Sequence, residues 1–256
     1  MGKEACVSGA YEGKVAVITG AGGGLGRAVA TTLAAGGAQV ACSDVDLDAV
    51  EQTADMVRKA GGVASARRVD VTVEASVEQW RDEVHEAHGR AAIVANVAGI
   101  LDRQQMLDAD LEAYMKVLQV NLGGTYGCTR TFAPDLIDAG WGRVVNVASI
   151  AGVTGYPYPS YASSKAGVVN LTRSLLVDLW GSGVTVNSVC PGAMDTPMLH
   201  RDALEAMLSR TPSGRIVTPE EIAGVLGFLC TDAAACINGA AIVVDGGATA
   251  VFRYFE

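Results

Sequence analysis

Two side chains capable of proton transfer, Tyr161 and Lys165, stand four residues apart in the sequence. On a helix this spacing places both side chains on one face. A phenol has an unperturbed pKa of about 10, and a neighbouring ammonium group favours the phenolate, so the pair suits a general acid/base. The chain has seven tyrosines. Because a chance pair at this spacing arises in roughly one such sequence in seven, the pair needs support from other residues.

A third candidate, Ser149, follows a short apolar run that predicts a strand over Arg143–Ala148. Parallel α/β sheets bind their ligands at the carboxyl ends of the strands. We therefore expect the hydroxyl of Ser149 to hydrogen-bond a substrate oxygen. Taken alone, a serine at such a position is more often a turn or capping residue.

A glycine-rich turn, Thr19 to Gly26, directly follows the first predicted strand and opens a predicted helix. Glycines let the backbone approach a pyrophosphate closely, and the amides at a helix N-terminus stabilise its charge. The strict G-x-G-x-x-G spacing does not occur, and the glycines alone fit an ordinary turn equally well. Their position after the first strand favours a dinucleotide site.

An acidic residue, Asp44, ends the second predicted strand, where dinucleotide-binding folds place a carboxylate against the adenosine ribose. A carboxylate there repels the additional phosphate of NADP, and no Lys or Arg adjoins Asp44 or lies between Gly20 and Gly26 in the sequence. NAD is therefore the predicted cofactor. The alternative is a helix N-cap, a role for which Asp46 competes.

The elements that must position these residues alternate along the chain as short apolar runs and longer segments of helical period, a pattern typical of βα units. The predicted strands are Val15–Thr19, Ala38–Ser43, Val63–Val69, Ala92–Ala95, Arg143–Ala148, Val184–Val189 and Ala241–Val244. The predicted helices are Leu25–Ala35, Leu47–Ala60, Ser76–Ala87, Leu111–Ala139, Ser160–Trp180 and Pro219–Cys230, the last with Thr218 as N-cap. We predict an α/β fold, a Rossmann-like doubly wound sheet of seven parallel strands with helices on both faces.

One domain is expected over residues 13–250, after a polar leader at 1–12 and before an aromatic tail at 251–256. The least periodic stretch, residues 193–215, is a candidate substrate lid, because long irregular loops in compact domains are usually functional or disordered. Five residues are predicted to line a mainly apolar substrate pocket. They are Ile150, Tyr156, Met194, Leu199 and Met207.

Composition narrows the class of protein. The chain has 256 residues, half of them hydrophobic, and a net charge of -9, which argues against nucleic-acid binding. No apolar stretch approaches the roughly 20 residues of a membrane span, and the first residues lack a signal-peptide core, so we expect a cytoplasmic protein. The six cysteines include no C-x-x-C pair, and no metal site is predicted. His85 and His88 are interpreted as solvated surface residues, and Asp110 as part of a helix start.

In order and spacing, these motifs resemble the classical short-chain dehydrogenase/reductase family over residues 13–250. The residues that carry the resemblance are Thr19 to Gly26, Asn96-Val97-Ala98-Gly99, Asn121, Ser149, Tyr161-Ala162-Ser163-Ser164-Lys165 and Pro191-Gly192. The family usually has two adjacent asparagines before Ala-Gly, whereas Val97 holds the second place here, so we expect one minor hydrogen bond to be altered.

The resemblance implies roles for individual residues. Tyr161 would exchange a proton with the substrate oxygen, Lys165 would lower its pKa and hold the nicotinamide ribose, and Asn121 would support a proton relay through water. The implied cofactor contacts, besides Tyr161 and Lys165, are Gly20, Gly24, Leu25, Gly26, Asp44, Asp70, Val71, Asn96, Ala98, Pro191, Gly192, Met194 and Thr196. It also implies a homo-oligomer, a tetramer or a dimer, packed through the helices after the fourth and fifth strands and through the last strand.

The activity expected on this basis is NAD-dependent interconversion of a secondary alcohol and a ketone, including the 3-hydroxyacyl/3-oxoacyl type. A non-catalytic dinucleotide sensor or interaction protein is the first alternative, although such a protein need not keep Ser149, Tyr161 and Lys165 together. A sugar-nucleotide epimerase or dehydratase shares the Tyr-Lys pair, but it usually carries a larger C-terminal substrate region.

Overall fold

The computed structural model describes residues 9–196, 198, 199, 202 and 204–251. Its centre is a seven-stranded parallel sheet, as predicted. The strands are β1 (Val15–Thr19), β2 (Gln39–Asp44), β3 (Ala64–Arg68), β4 (Ile93–Asn96), β5 (Gly142–Val147), β6 (Val184–Pro191) and β7 (Ala241–Val244). The first and last strands have the predicted bounds, and the other five shift by one or two residues at an end.

Helices cover both faces of the sheet, which confirms the predicted fold class. They are α1 (Gly24–Ala35), α2 (Leu47–Lys59), α3 (Glu74–Ala87), α4 (Leu111–Leu118), α5 (Gly124–Asp138), α6 (Pro159–Asp178), α7 (Leu204–Ser209) and α8 (Pro219–Leu229). Leu33 of α1 and Leu226 of α8 pack in the core on one face. Trp80 of α3 and Phe132 of α5 meet edge to face in the core on the other, with ring centroids 5.3 Å apart. Strands buried on both sides explain the continuous apolar runs in the sequence.

The strand order, β3-β2-β1-β4-β5-β6-β7, reverses direction between β1 and β4. A parallel sheet opens a crevice at this point, outside the carboxyl ends of its strands. The glycine-rich turn after β1, Asp44 at the end of β2 and the Asn96 to Gly99 segment after β4 all reach this edge. The topology therefore gathers the predicted cofactor residues in one place.

The prediction of one continuous helix over Leu111–Ala139 is wrong, because the middle of this range is not α-helical. Helix α4 ends at Leu118, a π turn follows over Gln119–Gly123, and α5 begins at Gly124. Asn121, in the π turn, is fully buried, and its side chain bonds to groups outside the helix. Such π turns within helices often occur at functional sites.

The described end of the predicted leader, residues 9–12, packs against the domain. Tyr11 is fully buried, and its hydroxyl donates a 2.6 Å hydrogen bond to the carbonyl oxygen of Gly227 in α8. Its backbone N–H also donates to the carbonyl oxygen of Gly36. Residues 1–8 of the leader and 252–256 of the tail lie outside the described residues. Within the predicted lid, the structure describes helix α7, which the sequence did not indicate, and leaves out residues 197, 200, 201 and 203.

The two histidines are not simply solvated, contrary to prediction. The Nε2 atom of His85 lies 2.7 Å from a carboxylate oxygen of the buried Asp135, which joins α3 to α5. His88 contacts Gln39 and Ser65 on β2 and β3, and burial lowers its pKa. Both side chains fasten α3 to neighbouring elements.

Cysteines 42, 128, 190 and 230 are buried thiols, as expected, whereas Cys236 is exposed. Burial raises the pKa of Cys42, Cys128 and Cys230 to about 12, which keeps these thiols protonated and unreactive. Across the described part of the chain, no helix combines the length and apolarity required to cross a bilayer.

Candidate active site

Ser149 and Tyr161 meet where β5 ends and α6 begins. Ser149 caps a short 3-10 turn over Ile150–Gly152, and its hydroxyl accepts a 3.1 Å hydrogen bond from the backbone N–H of Ala151. A Cβ on Gly152 would collide with the backbone of Lys165, so the glycine lets this turn pack directly on α6. Ser149 is thereby held beside the first turn of α6, where its hydroxyl lowers the pKa of the Tyr161 phenol.

The phenol of Tyr161 lies in a buried environment. Burial raises the pKa of Tyr161 to about 12, the hydrogen bond to Ser149 acts in the opposite direction, and the neighbouring Tyr156 adds a smaller upward effect. The protonated phenol is therefore the resting form at neutral pH. It can donate a hydrogen bond to a substrate oxygen before any proton is exchanged.

Lys165 lies one turn further along α6, deep in the protein with 3% of its surface exposed. Its Nζ donates a 2.7 Å hydrogen bond to the carbonyl oxygen of Val147 in β5. Burial lowers the pKa of this amine to about 8. The Nζ atom is 5.7 Å from the centre of the Tyr161 ring.

The influences on the pKa of Tyr161 are burial, which raises it, Ser149, which lowers it, and Tyr156, which raises it. The Lys165 amine bonds to Val147 and lies 5.7 Å from the centre of the Tyr161 ring. The expected role of Lys165 in lowering the Tyr161 pKa stays a prediction.

Asn121 connects the π turn to two other elements. Its Oδ1 accepts from the N–H of Ile100 at 2.8 Å, and its Nδ2 donates to the carbonyl oxygen of Ile100 at 2.9 Å and to the Ser164 hydroxyl at 3.0 Å. A Cβ built on Gly99 would lie 3.2 Å from Asn121 Oδ1 and 3.3 Å from Lys165 Nζ. The amide and the amine therefore converge on the same glycine.

Ser164 is a partner of Asn121 that the sequence does not indicate. Its hydroxyl also donates to the carbonyl oxygen of Tyr161, within the same helix. The doubled serine before Lys165 was the available signal. The pairing itself depends on how the π turn meets α6, which local sequence does not specify.

The glycine-rich turn is compact because its backbone approaches other backbone closely. Gly20 has a φ of 67°, and a Cβ on it would lie 2.7 Å from the Cα of Ala98. A Cβ on Gly26 would collide with the carbonyl oxygen of Gly20. Thr19 is a further residue of this turn that contacts the site. Its hydroxyl oxygen accepts hydrogen bonds of 3.1 Å from the N–H groups of Val97 and Ala98.

The Asp44 side chain hydrogen-bonds the glycine-rich turn and does not cap a helix. One carboxylate oxygen accepts a 2.9 Å hydrogen bond from the N–H of Gly22, and the other accepts a 3.1 Å bond from the N–H of Asp46. The N-cap of α2 is Asp46, which accepts from the N–H of Ala49. The carboxylate of Asp44 therefore lies at the crevice.

Two arginines distant from Asp44 in sequence lie near it in space. The guanidinium of Arg27 donates to the carbonyl oxygen of Gly22 at 3.3 Å, and Arg68 is the register partner of Asp44 on β3. Asp44 therefore has arginines near it in the folded protein, although no basic residue adjoins it in the sequence. Neither arginine forms an ion pair with Asp44 among the described residues.

A cleft of about 690 Å³ opens at the crevice. Five predicted cofactor residues line it, namely Gly20, Asp44, Asp70, Val71 and Ala98. The opposite wall is formed by α4 and the π turn, and includes Glu112, Met115, Lys116, Gln119 and Val120, none of which was predicted. Ser149, Tyr161 and Lys165 are not among the described lining residues, so the cleft corresponds to the end of the site near β2 and β3.

Asn96 does not line this cleft. Its side chain is buried and donates hydrogen bonds to the Thr129 hydroxyl at 2.9 Å and to Oδ1 of Asn146 at 2.8 Å. The side chain therefore serves the packing between β4, β5 and α5, and the predicted cofactor contact of Asn96 stays a prediction. Val97, the residue that departs from the family pattern, lines the cleft instead.

The remaining predicted cofactor residues follow β6 or begin α1. Gly192, after the strand ends at Pro191, donates a 3.0 Å bond to the carbonyl oxygen of Val244. Thr196 approaches Gly24, since a Cβ on that glycine would lie 3.6 Å from the Thr196 methyl group. The segment after β6 therefore crosses in front of the N-terminus of α1, where Leu25 and Gly26 follow.

An aromatic ring lies beside the candidate catalytic tyrosine. The ring of Tyr156 lies 6.0 Å from that of Tyr161 and 5.5 Å from that of Tyr158, centre to centre. Tyr156 is therefore placed beside the candidate acid/base, as the sequence predicts for a pocket residue. The pocket roles of Ile150, Met194, Leu199 and Met207 stay predictions.

Comparisons with known proteins agree with this geometry. A family model described as enoyl-(acyl carrier protein) reductase matches residues 20–249. Cis-4-hydroxycyclohexanecarboxylate dehydrogenase of Sinomonas cyclohexanicum is 40% identical over 94% of this chain and 99% of its own length. Meso-2,3-butanediol dehydrogenase of Serratia marcescens is 38% identical over 94% and 96%.

The fold is equally close to solved structures. A short-chain type dehydrogenase/reductase from Mycobacterium marinum has a TM-score of 0.92 at 34% identity, covering 95% of this chain and 98% of its own. Matches of this extent identify a family and not merely a shared fold. The chain belongs to the short-chain dehydrogenase/reductase family and is an oxidoreductase of that type.

Proposed function

We propose that this protein interconverts a secondary alcohol and a ketone with NAD, using Tyr161 as the general acid/base. The observation that carries the proposal is the grouping of three side chains at the carboxyl end of β5: Ser149, which lowers the pKa of the buried Tyr161 phenol, Tyr161 itself, and the buried Lys165 one turn further along α6. The Ser149 hydroxyl and the Tyr161 phenol can together hydrogen-bond the oxygen of a carbinol or a carbonyl group.

In the direction of oxidation, Ser149 and Tyr161 hold the alcohol oxygen. The phenol first releases its own proton through the water relay beside Lys165 and Asn121, and the phenolate then accepts the proton of the alcohol. Bound nicotinamide would supply the hydride acceptor for the carbinol carbon. Burial excludes water from the phenol and strengthens the hydrogen bonds made there. In the direction of reduction, the same phenol donates its proton to the carbonyl oxygen.

Lys165 and Asn121 support the proton transfer. Their polar atoms converge on Gly99, so a water molecule bound near this glycine would connect the amine to the amide. Lys165 would also hold a ribose hydroxyl, since its Nζ uses one of its three donors on Val147. These roles follow those implied by the family resemblance.

The residues at the crevice fit a dinucleotide. At Gly23 and Gly24 a Cβ would meet no atom closer than 3.6 Å, so the start of α1 is open to a ligand. Gly23, the N-cap of α1, makes no side-chain capping bond, which leaves helix amides for a pyrophosphate. The carboxylate of Asp44 suits ribose hydroxyls and opposes a phosphate, which favours NAD over NADP.

The relatives support the substrate class. Those reported above are named for a hydroxycyclohexanecarboxylate and a butanediol, both secondary alcohols, and the family model for an enoyl-(acyl carrier protein) reductase. We propose a secondary alcohol as the substrate, with the 3-hydroxyacyl/3-oxoacyl type included. We also propose a homo-oligomer, a tetramer or a dimer, for which light scattering in solution is the test.

The test of this function follows nicotinamide absorbance with NAD and NADP against secondary alcohols, hydroxyacyl thioesters, sugars and steroids. We expect reduction of NAD by at least one secondary alcohol and weaker reduction of NADP. Tight binding of NAD with no turnover of any alcohol, and none of the matching ketones with NADH, would favour the non-catalytic sensor instead.

A further inference from the structure

A positively charged and exposed side chain, Arg103, joins the two loops that follow β4 and β6. It lies in the loop between β4 and α4, and its guanidinium donates a 2.8 Å hydrogen bond to the carbonyl oxygen of Met198. This bond joins two segments that are 95 residues apart in the sequence. Arg103 therefore spans the gap between the loop after β4 and the segment after β6.

Arg103 is also close to the tyrosines of the site. Burial raises the pKa of Tyr156, and the charge of Arg103 lowers it, so the guanidinium is near that phenol. The Tyr156 ring in turn lies 6.0 Å from the Tyr161 ring. Tyr156 therefore lies beside Tyr161, and the charge of Arg103 acts on Tyr156.

The charge of Arg103 is not neutralised by a carboxylate in the described part of the chain. The adjacent Asp102 instead accepts a 3.1 Å hydrogen bond from the backbone N–H of Gln104. A guanidinium has five N–H donors, and the bond to Met198 uses one of its nitrogens. A planar pair of donors therefore remains for a ligand.

We infer that Arg103 binds an anionic group of the substrate, so that the natural substrate is a hydroxy acid or keto acid with its carboxylate remote from the carbinol carbon. The inference rests on the proposed function. A guanidinium matches a carboxylate in shape and charge, and such charge-assisted pairs are stronger than neutral hydrogen bonds. Tyr156 would separate the two ends, with the carbinol at Tyr161 and the anion at Arg103.

The test compares matched acids and amides as substrates of the whole enzyme. Suitable pairs are linear and cyclic secondary alcohols that bear a remote carboxylate, each beside its carboxamide. We expect kcat/KM for at least one acid to exceed that of its amide by about tenfold, through a lower KM. The Arg103→Met variant should lose this preference because KM for the acid rises about tenfold more than KM for the amide, beyond any equal effect that loss of the Met198 bond has on both. Arg103→Lys should retain part of the preference.

A control variant, Arg81→Met, removes an arginine that pairs with Asp82 on the surface of α3, and it should behave as the wild type. If Arg103 only fastened the loop to the segment after β6, its loss would affect acid and amide alike. That result, or equal turnover of acids and amides by the wild type, would overturn the inference and leave the proposed function intact. Failure to oxidise any alcohol, charged or neutral, would overturn both.

Discussion

Lys165 donates a 2.7 Å hydrogen bond to the carbonyl oxygen of Val147 in the interior of the protein. The bond fixes the amine but does not replace the water it has lost, because burial still lowers its pKa from 10.5 to about 8. Below pH 8 the folded protein therefore holds a charged amine in its core, which costs stability. The amine is retained at a position where the proposed reaction needs it.

The Lys165→Met variant should reveal this cost through pH. Between about pH 8 and pH 10 the unfolded lysine is protonated and the folded one is largely neutral, so the unfolded state binds more protons. The free energy of unfolding of the wild type should therefore rise, relative to the variant, by roughly 2 kcal/mol over this range. Denaturant titrations at pH 7, 8, 9 and 10 measure the difference. A difference that does not change with pH would contradict the lowered pKa.

The glycine turn offers a matched pair of substitutions. Gly26→Ala should destabilise the protein by more than about 3 kcal/mol or prevent folding, because its Cβ would collide with the Gly20 carbonyl oxygen. Gly24→Ala should change the free energy of unfolding by less than about 1 kcal/mol, since its Cβ meets only the Thr196 methyl group at 3.6 Å. Thermal and denaturant unfolding test both. Equal stability of the two variants would show that the turn is looser than described.

Asp44 is predicted to set the choice between NAD and NADP. Asp44→Asn keeps an oxygen that can accept from Gly22 and removes the negative charge. The ratio of kcat/KM for NADP to that for NAD should rise by about tenfold or more. Asp46→Asn, which alters the neighbouring cap of α2, should leave the ratio unchanged. An unaltered ratio in the Asp44 variant would remove this residue from cofactor selection.

The elements with strong local signals were predicted well. Thr218 followed by Pro219 predicts the start of α8. The structure shows Thr218 as the N-cap of this helix, in a reciprocal capping box with Glu221. The strands were recognisable because burial on both faces requires continuous apolar runs. Local propensity and period decide such elements, so the sequence carries the information directly.

The structural features that the sequence did not predict depend on contacts between distant segments. The π turn at Asn121 reflects bonds to Ile100 and Ser164, and a helical pattern alone does not reveal it. The side chain of Asn96 faces Thr129 and Asn146 because of strand register, and its motif alone does not reveal this orientation. Arg68 reaches the level of Asp44 through pairing of β2 with β3. Tertiary packing decides each of these.

The most direct test of the proposed chemistry is the steady-state and binding behaviour of Tyr161→Phe. The substitution removes the phenol hydroxyl and keeps the ring beside Tyr156. We expect kcat for alcohol oxidation to fall by about a thousandfold, because general acid/base catalysis is lost, while the Kd for NAD, measured by calorimetry, stays within about twofold. Tyr126→Phe, at an exposed position on α5, serves as the control. Turnover by Tyr161→Phe at the wild-type rate would contradict the assignment of Tyr161 as the acid/base.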